Sequence, residues 1–172
     1  MEKFNGKYRI PSNRLNGFDY ASNGMYFVKF CTKNRIHYFG EINEQIDKPQ
    51  NPSIDFTEIG KIANQYWQAI PEHFPFVELD EYTIMPDHIH GILIFNNPEK
   101  TTWEPNKFGP QSKNLGSVLR GFKSTVKRYA NINNIKFCWQ SNYHDRIIRN
   151  YDELERIRKY IRMNPTNWLK RK

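Results

Sequence analysis

Two histidines separated by one residue, His88 and His90, and a tyrosine and an asparagine four residues apart, Tyr160 and Asn164, are the side chains whose types and spacing could do chemistry. The histidines stand in MPDHIHGILIF, residues 85–95, which otherwise reads as a buried strand. In an extended chain residues i and i+2 share a face, so both imidazoles point one way while Ile89 turns into packing. That geometry suits two ligands of one metal ion; it equally suits a solvated strand face, and the spacing does not choose. On a helix, positions i and i+4 lie one above the other. Asn164 could then offer a carbonyl oxygen to a hard cation beside a phenol oxygen of Tyr160 acting as nucleophile. A tyrosine there also serves as packing, and an asparagine before Pro165 as a helix end.

The 172 residues fit a single domain with a real core, and 15% aromatic within 38% hydrophobic content is that of a globular chain. No apolar run approaches the roughly 20 residues that span a bilayer, so no membrane partner is expected. The start, MEKFNGKYRIPSNRLNG, lacks the apolar core of a secretory signal, and Cys31 and Cys138 form neither a CxxC pair nor a disulfide framework. A cytoplasmic location follows as the expectation. A net charge of +8 favours a polyanionic partner, nucleic acid first.

The histidines and tyrosine need elements to position them. Residues 1–23 read as an irregular basic arm, and 24–172 as one domain. GMYFVKFCT and RIHYFGEI alternate as strands and predict a hairpin, with His37 as a surface or pairing residue. KPQNPSID reads as a loop whose Ser53, Asp55 or Thr57 could cap a helix carrying Ile59, Ile62, Ala63, Tyr66 and Ile70, stopped by Pro71. FPFVELDEYTIM and HIHGILIF follow as two strands joined across Pro86-Asp87, and residues 96–113 as a loop. Leu115, Val118, Leu119, Phe122, Val126 and Tyr129 mark an amphipathic helix with Arg120, Lys123, Lys127 and Arg128 on its other faces. After a short FCW strand and a polar turn comes a last helix, from a cap at Asn150 with Glu153 to Pro165, burying Leu154, Ile157 and Ile161. The expected fold class is α+β, a ferredoxin-like antiparallel sheet covered by helices.

Four segments carry a family resemblance across nearly the whole chain: RLNGFDYASNGMYFVKFCTKNRIHYFGEI, VELDEYTIMPDHIHGILI, GSVLRGFKSTVKR, and WQSNYHDRIIRNYDELERIRKYIRMNPTNW. The sequence resembles the single-tyrosine HUH transposases, most closely the REP-associated tyrosine transposase-like (IS200-like) group, whose histidine pair lies on a central strand. The resemblance implies that His88 and His90 are metal ligands, Asn164 the third ligand, and Tyr160, on the C-terminal helix, the nucleophile, ahead of Tyr129, Tyr143 and Tyr151. One departure is Arg146, where relatives often carry histidine. A guanidinium stays protonated and cannot relay a proton, though it could hold a phosphate. His144 could substitute if the backbone there is extended.

The implied activity is nicking and rejoining of single-stranded DNA, with an adjacent hairpin as a possible feature of the substrate, through a 5′-phosphotyrosine link. Mixed nitrogen and oxygen ligands admit Mg²⁺ or Mn²⁺. Arg9 and Arg14 on the arm, with Arg120, Lys123, Lys127, Arg146 and Arg149, are the candidate DNA contacts, and Trp103 and Trp139 candidate stacking platforms. A monomer acting in cis is expected over a homodimer. The rival readings are a catalytically silent DNA-binding protein of the same fold and a metal-dependent phosphoesterase.

Overall fold

The computed structural model of the chain describes residues 3–4, 7–8, 14–45, 48–106 and 111–171. Its elements are β1 (Lys3–Phe4), β2 (Lys7–Tyr8), β3 (Gly24–Cys31), β4 (Gly40–Gln45), β5 (Lys48–Phe56), α1 (Glu58–Gln68), α2 (Ile70–His73), β6 (Val77–Met85), β7 (His88–Phe95), α3 (Leu115–Ile132), β8 (His144–Ile148) and α4 (Tyr151–Leu169). The main sheet has the order β6-β7-β3-β8, every neighbouring pair antiparallel. Helices cover both faces, and the strand order and directions accord with the ferredoxin-like expectation.

Alternation along the central strands builds two cores. Tyr26, Val28, Phe30, Ile89 and Leu93 face α1 and α3, packing with Ala63, Trp67, Val118, Leu119 and Phe122. Phe27, Ile92 and Ile148 face the other way, packing with Leu154 and Ile161 of α4. His88 and His90 share the α4 side of β7 and Ile89 the opposite side, as the strand period requires. Gly91 sits under Trp67 so closely that any β-carbon there would run into the indole ring.

Three expectations about the strands are corrected. The strand after Cys31 does not fold back on β3. A 3-10 turn over Lys33–Arg35, with Asn34 and Arg35 at φ 56° and 57°, takes the chain off the sheet, and β4 pairs with β5 instead. β3 is largely apolar, with Lys29 its one charged residue, and belongs at the sheet centre, where β7 and β8 flank it. The KPQNPSID segment lies in strand β5 rather than a loop. Among the described residues its sheet has two strands, and an edge without a neighbour tolerates Pro52. The polar turn expected before the last helix contains strand β8, held by Met25↔Ile148 through Lys29↔His144.

Capping follows the sequence more closely. Thr57 caps α1, its side chain accepting from Gly60 N at 3.1 Å. Asn114 and Ser117 form a capping box on α3, and Asn150 accepts from Glu153 N at 2.8 Å on α4. Pro165 does not end α4; the helix runs on to Leu169. Trp168, on that extra turn, packs against His37 and His88 at ring-centroid distances of 5.3 and 6.1 Å. Within the stretch expected as an arm, Tyr20 is buried in the larger core. No helix is long and apolar enough, among the described residues, to cross a membrane.

Filling the space under Trp67 should be costly because a packed interior cannot yield room for a methyl. Gly91→Ala is expected to lower stability by about 1–3 kcal/mol, read as a lower urea midpoint; an unchanged midpoint would refute this close packing.

Candidate active site

His88 and His90 come from one strand and Tyr160 and Asn164 from a helix seventy residues later, and the fold brings all four together. The two imidazoles lie with ring centroids 4.5 Å apart. The Tyr160 ring stacks on His90 at 5.2 Å and 28°, with Phe27 beside both at 6.2 and 5.6 Å. Asn164 meets the His90 ring at Nδ1, 3.2 Å from its amide nitrogen. Tyr160 is 45% exposed while His90 is wholly buried, so the phenol bridges the interior and solvent.

Salt links hold α4 at this height over the sheet. Arg158 clamps the Asp80 carboxylate of β6 through Nε at 2.8 Å and Nη2 at 2.5 Å, and Arg162 pairs with Glu81 at 2.9 Å. The two-pronged geometry fixes direction as well as distance. Its bonds to Arg158 hold the Asp80 carboxyl below the usual carboxylate range.

Burial governs the electrostatics of the pair. It disfavours the imidazolium form and brings His90 down to about 2. Burial also lowers His88, although its bond to Asp87 opposes the shift. Both rings are therefore neutral at physiological pH and keep a lone pair. Nε2 of each is buried and has no hydrogen-bond partner among the described residues. Leaving such nitrogens unpaired is costly.

Two supporting residues escaped the sequence reading. Asp87 Oδ1 lies 2.5 Å from His88 Nδ1, and its Oδ2 pairs with Arg35 Nε at 2.8 Å. With Asp87 accepting the Nδ1 proton, His88 presents a bare Nε2, the arrangement that carboxylates impose on metal-binding imidazoles. Burial alone would raise Asp87, but the His88 bond and the Arg35 charge bring it below the ordinary value. Thr32 N donates to Asp87 O at 2.9 Å and Phe39 N to Pro86 O at 3.0 Å, so the turn after β3 braces the turn before the histidines. Asp87 stands beside His88 in the sequence, and that adjacency was the available signal.

Among the described residues no three His, Cys, Asp or Glu side chains come together as a metal site. The donor set is two imidazoles plus an amide. Two neutral, unpaired nitrogens on one face with an amide within reach fit a divalent ion that keeps other positions open.

Beside Tyr160 a groove of about 610 Å³ runs between α4 and the sheet, lined by Phe27, Lys29, His144, Arg146, Arg156 and Tyr160 among others. The backbone at His144 is extended, so His144 and Arg146 share this face. Arg146 is tied to Glu153, Nε to Oε1 at 2.6 Å. The competing tyrosines stand elsewhere. Tyr129 donates to Glu58 from α3, burial pushes Tyr143 up to about 12, and Tyr151 is exposed at the start of α4.

The other candidate DNA contacts do not converge on the histidines. Lys123 and Lys127, on the far side of the sheet, bond to the carbonyls of Gln140 and Phe137 at 3.0 and 2.5 Å. Arg120 donates to Gln111 O at 2.9 Å. The Arg14 guanidinium lies over the Tyr143 ring at 5.3 Å, in a second groove at the β8 edge that Arg149 also lines. Arg9 lies outside the described residues. Trp67 is buried and Trp139 half-buried against the core, its indole donating to Lys123 O, whereas Trp103 is 56% exposed.

No family model matches the chain. In fold it is similar to a REP-associated tyrosine transposase, solved bound to a REP hairpin, which superposes with a TM-score of 0.54 and 17% identity over 94% of this chain and 73% of the other. A Deinococcus radiodurans structure aligns over 94% of this chain and 95% of its own at 14% identity, with a TM-score of 0.40. In sequence, an uncharacterized protein of Haemophilus influenzae is 35% identical over 178 residues, 96% of this chain and 94% of that one. The chain belongs to the family of that protein.

The Arg158–Asp80 clamp yields a pH signature. A carboxylate whose folded pKa lies below its unfolded value near ~4 stabilises fully above that value and loses the contribution as pH falls through the folded pKa. Asp80→Asn should cost on the order of 1 kcal/mol at neutral pH, and its difference from wild type in denaturant titrations should shrink below about pH 4. A difference independent of pH would contradict the clamp.

Proposed function

We propose that the protein nicks and rejoins single-stranded DNA, with Tyr160 as nucleophile and with His88, His90 and Asn164 as the residues that would hold a divalent ion. The observation that carries this reading is the stacking of Tyr160 on His90. A phenol that is half in solvent, set on a neutral imidazole with an unpaired nitrogen, is an arrangement that packing alone does not require.

Tyr160 Oη attacks the phosphorus of the scissile diester. The Oη–P bond forms as the P–O3′ bond breaks, leaving a 5′-phosphotyrosine and a free 3′-hydroxyl. The phenol proton passes to water or to His144 in the same groove, and the departing 3′-oxygen takes up a proton. Rejoining reverses these steps with the 3′-hydroxyl of the same or another strand. Because the energy of the broken bond is kept in the phosphotyrosine, no nucleotide cofactor is needed. Bound at the pair, Mg²⁺ or Mn²⁺ supplies Lewis-acid polarisation of a phosphoryl oxygen. Asp87 and Arg35 fix the tautomer of His88, and the Arg158 and Arg162 links hold the nucleophile in register.

An unpaired strand is the substrate this groove suits, since the phosphate must reach Tyr160 between helix and sheet. The tyrosine transposase of like fold is bound to a REP hairpin. That likeness supports a hairpin-flanked strand as the natural target. Tyr160 and the two histidines lie together within one chain, the arrangement that a tyrosine acting in cis needs.

Tyr160→Phe should abolish the covalent adduct with single-stranded oligonucleotides while changing affinity by less than about threefold, since one hydroxyl contributes little to a contact dominated by phosphates. Persistent adduct in the Phe variant would remove Tyr160 from the role. Chelation with EDTA should stop nicking and added Mn²⁺ restore it, and His88→Ala or His90→Ala should each remove that dependence; nicking unaffected by EDTA would rule out the metal role.

A further inference from the structure

We propose that Lys29 is the cation that holds the phosphate attacked by Tyr160, its ammonium binding a non-bridging oxygen of the diester. This rests on the nicking reading for its consequence in rate, but not for its consequence in binding.

Lys29 lies near the middle of the sheet. On β3 it is opposite His90 of β7 on one side and His144 of β8 on the other, so His144, Lys29 and His90 form one row across three strands. It points to the same side as Phe27, two residues before it, whose ring lies against both Tyr160 and His90. Lys29 and Tyr160 line the same groove. The Lys29 charge bears on both imidazoles of the pair and adds to the effect that keeps them neutral.

Its surroundings offer Lys29 no compensation. It is half-buried, and among the described residues neither a carboxylate nor a hydrogen-bond acceptor pairs with it. In the same groove Arg146 is neutralised by Glu153, and Arg156, one turn before Tyr160 on α4, is exposed to solvent whereas Lys29 is half-buried. A strand facing a helix normally carries an apolar residue at such a position, because a partly desolvated ammonium without a partner is unfavourable. The cost is offset once an anion enters. A single-stranded DNA phosphate brings that anion to Tyr160, where Oη–P formation and P–O3′ cleavage shift negative charge onto the oxygen atoms of the phosphoryl group. A preorganised cation stabilises that charge more strongly in the transition state than in the bound ground state.

Lys29→Met keeps the aliphatic stem and removes the charge, and Lys29→Arg restores the charge on a different head. In single-turnover assays with a 5′-labelled oligonucleotide and Mn²⁺, Lys29→Met should slow adduct formation about 100-fold, with Lys29→Arg recovering part of the loss. Mn²⁺ affinity, read by calorimetry, should stay within about threefold of wild type, because a cation is not a ligand. In parallel, the dependence of oligonucleotide affinity on salt should flatten by about 0.7 in log–log slope for Lys29→Met, the loss of one single-strand phosphate contact. Wild-type rate together with an unchanged slope would overturn the proposal, as would a slope change that Lys29→Arg fails to restore. If wild type forms no adduct with any strand, the nicking reading falls, and the salt slope alone decides whether Lys29 holds a phosphate. Should Lys29→Met fail to fold, Lys29→Gln is measured in its place against the same outcomes.

Discussion

Desolvation of two imidazoles on a central strand is the constraint on which the rest of the site depends. β7 is buried on both faces, so His88 and His90 cannot lie against water as an ordinary surface pair would. Burial keeps them neutral, neutrality keeps their lone pairs, and α4 closes over them with Tyr160 and Asn164. Unpaired buried nitrogens are destabilising in a protein of marginal stability. The fold tolerates them here through the two cores on either side of the sheet and the clamp of Arg158 on Asp80.

The two faces of the sheet divide the work. On the side of α1 and α3, aromatic packing around Trp67, Phe30 and Phe122 carries stability, and even the basic residues of α3 are used locally, Lys123 and Lys127 holding carbonyls of the segment before β8. On the side of α4 the apolar core is small, and the remaining area is given to the histidines, the tyrosine and a groove with cations. The net positive charge of the chain is thus spread over the molecule, and part of it, Lys29, Arg146 and Arg156, lines the groove beside Tyr160.

Local patterns made much of this legible. The period of two put both histidines on one face and Ile89 on the other, and the period of 3.6 put Tyr160 and Asn164 on the same side of α4. Caps at Thr57 and Asn150 were likewise readable. What escaped depends on long-range pairing. His144, Asp145 and Arg146 fill three of the five positions of β8, which read as a turn because an edge strand needs only its pairing with β3 to exist. The apparent hairpin after β3 failed because β7 and β8 claim both its edges. Pro165 read as a stop, yet the helix continues past it and lays Trp168 against His88. Asp87, Arg35 and Lys29 acquire meaning only once three separate strands and a turn are brought to one place.

The most direct test of the central claim is the identity of the tyrosine that becomes bonded to DNA. Wild-type protein is incubated with single-stranded oligonucleotides and Mn²⁺, digested, and its peptides weighed. A nucleotide mass on the peptide carrying Tyr160, and on no other, is the result predicted. The same mass on Tyr129, Tyr143 or Tyr151, or on none of them, would contradict the account.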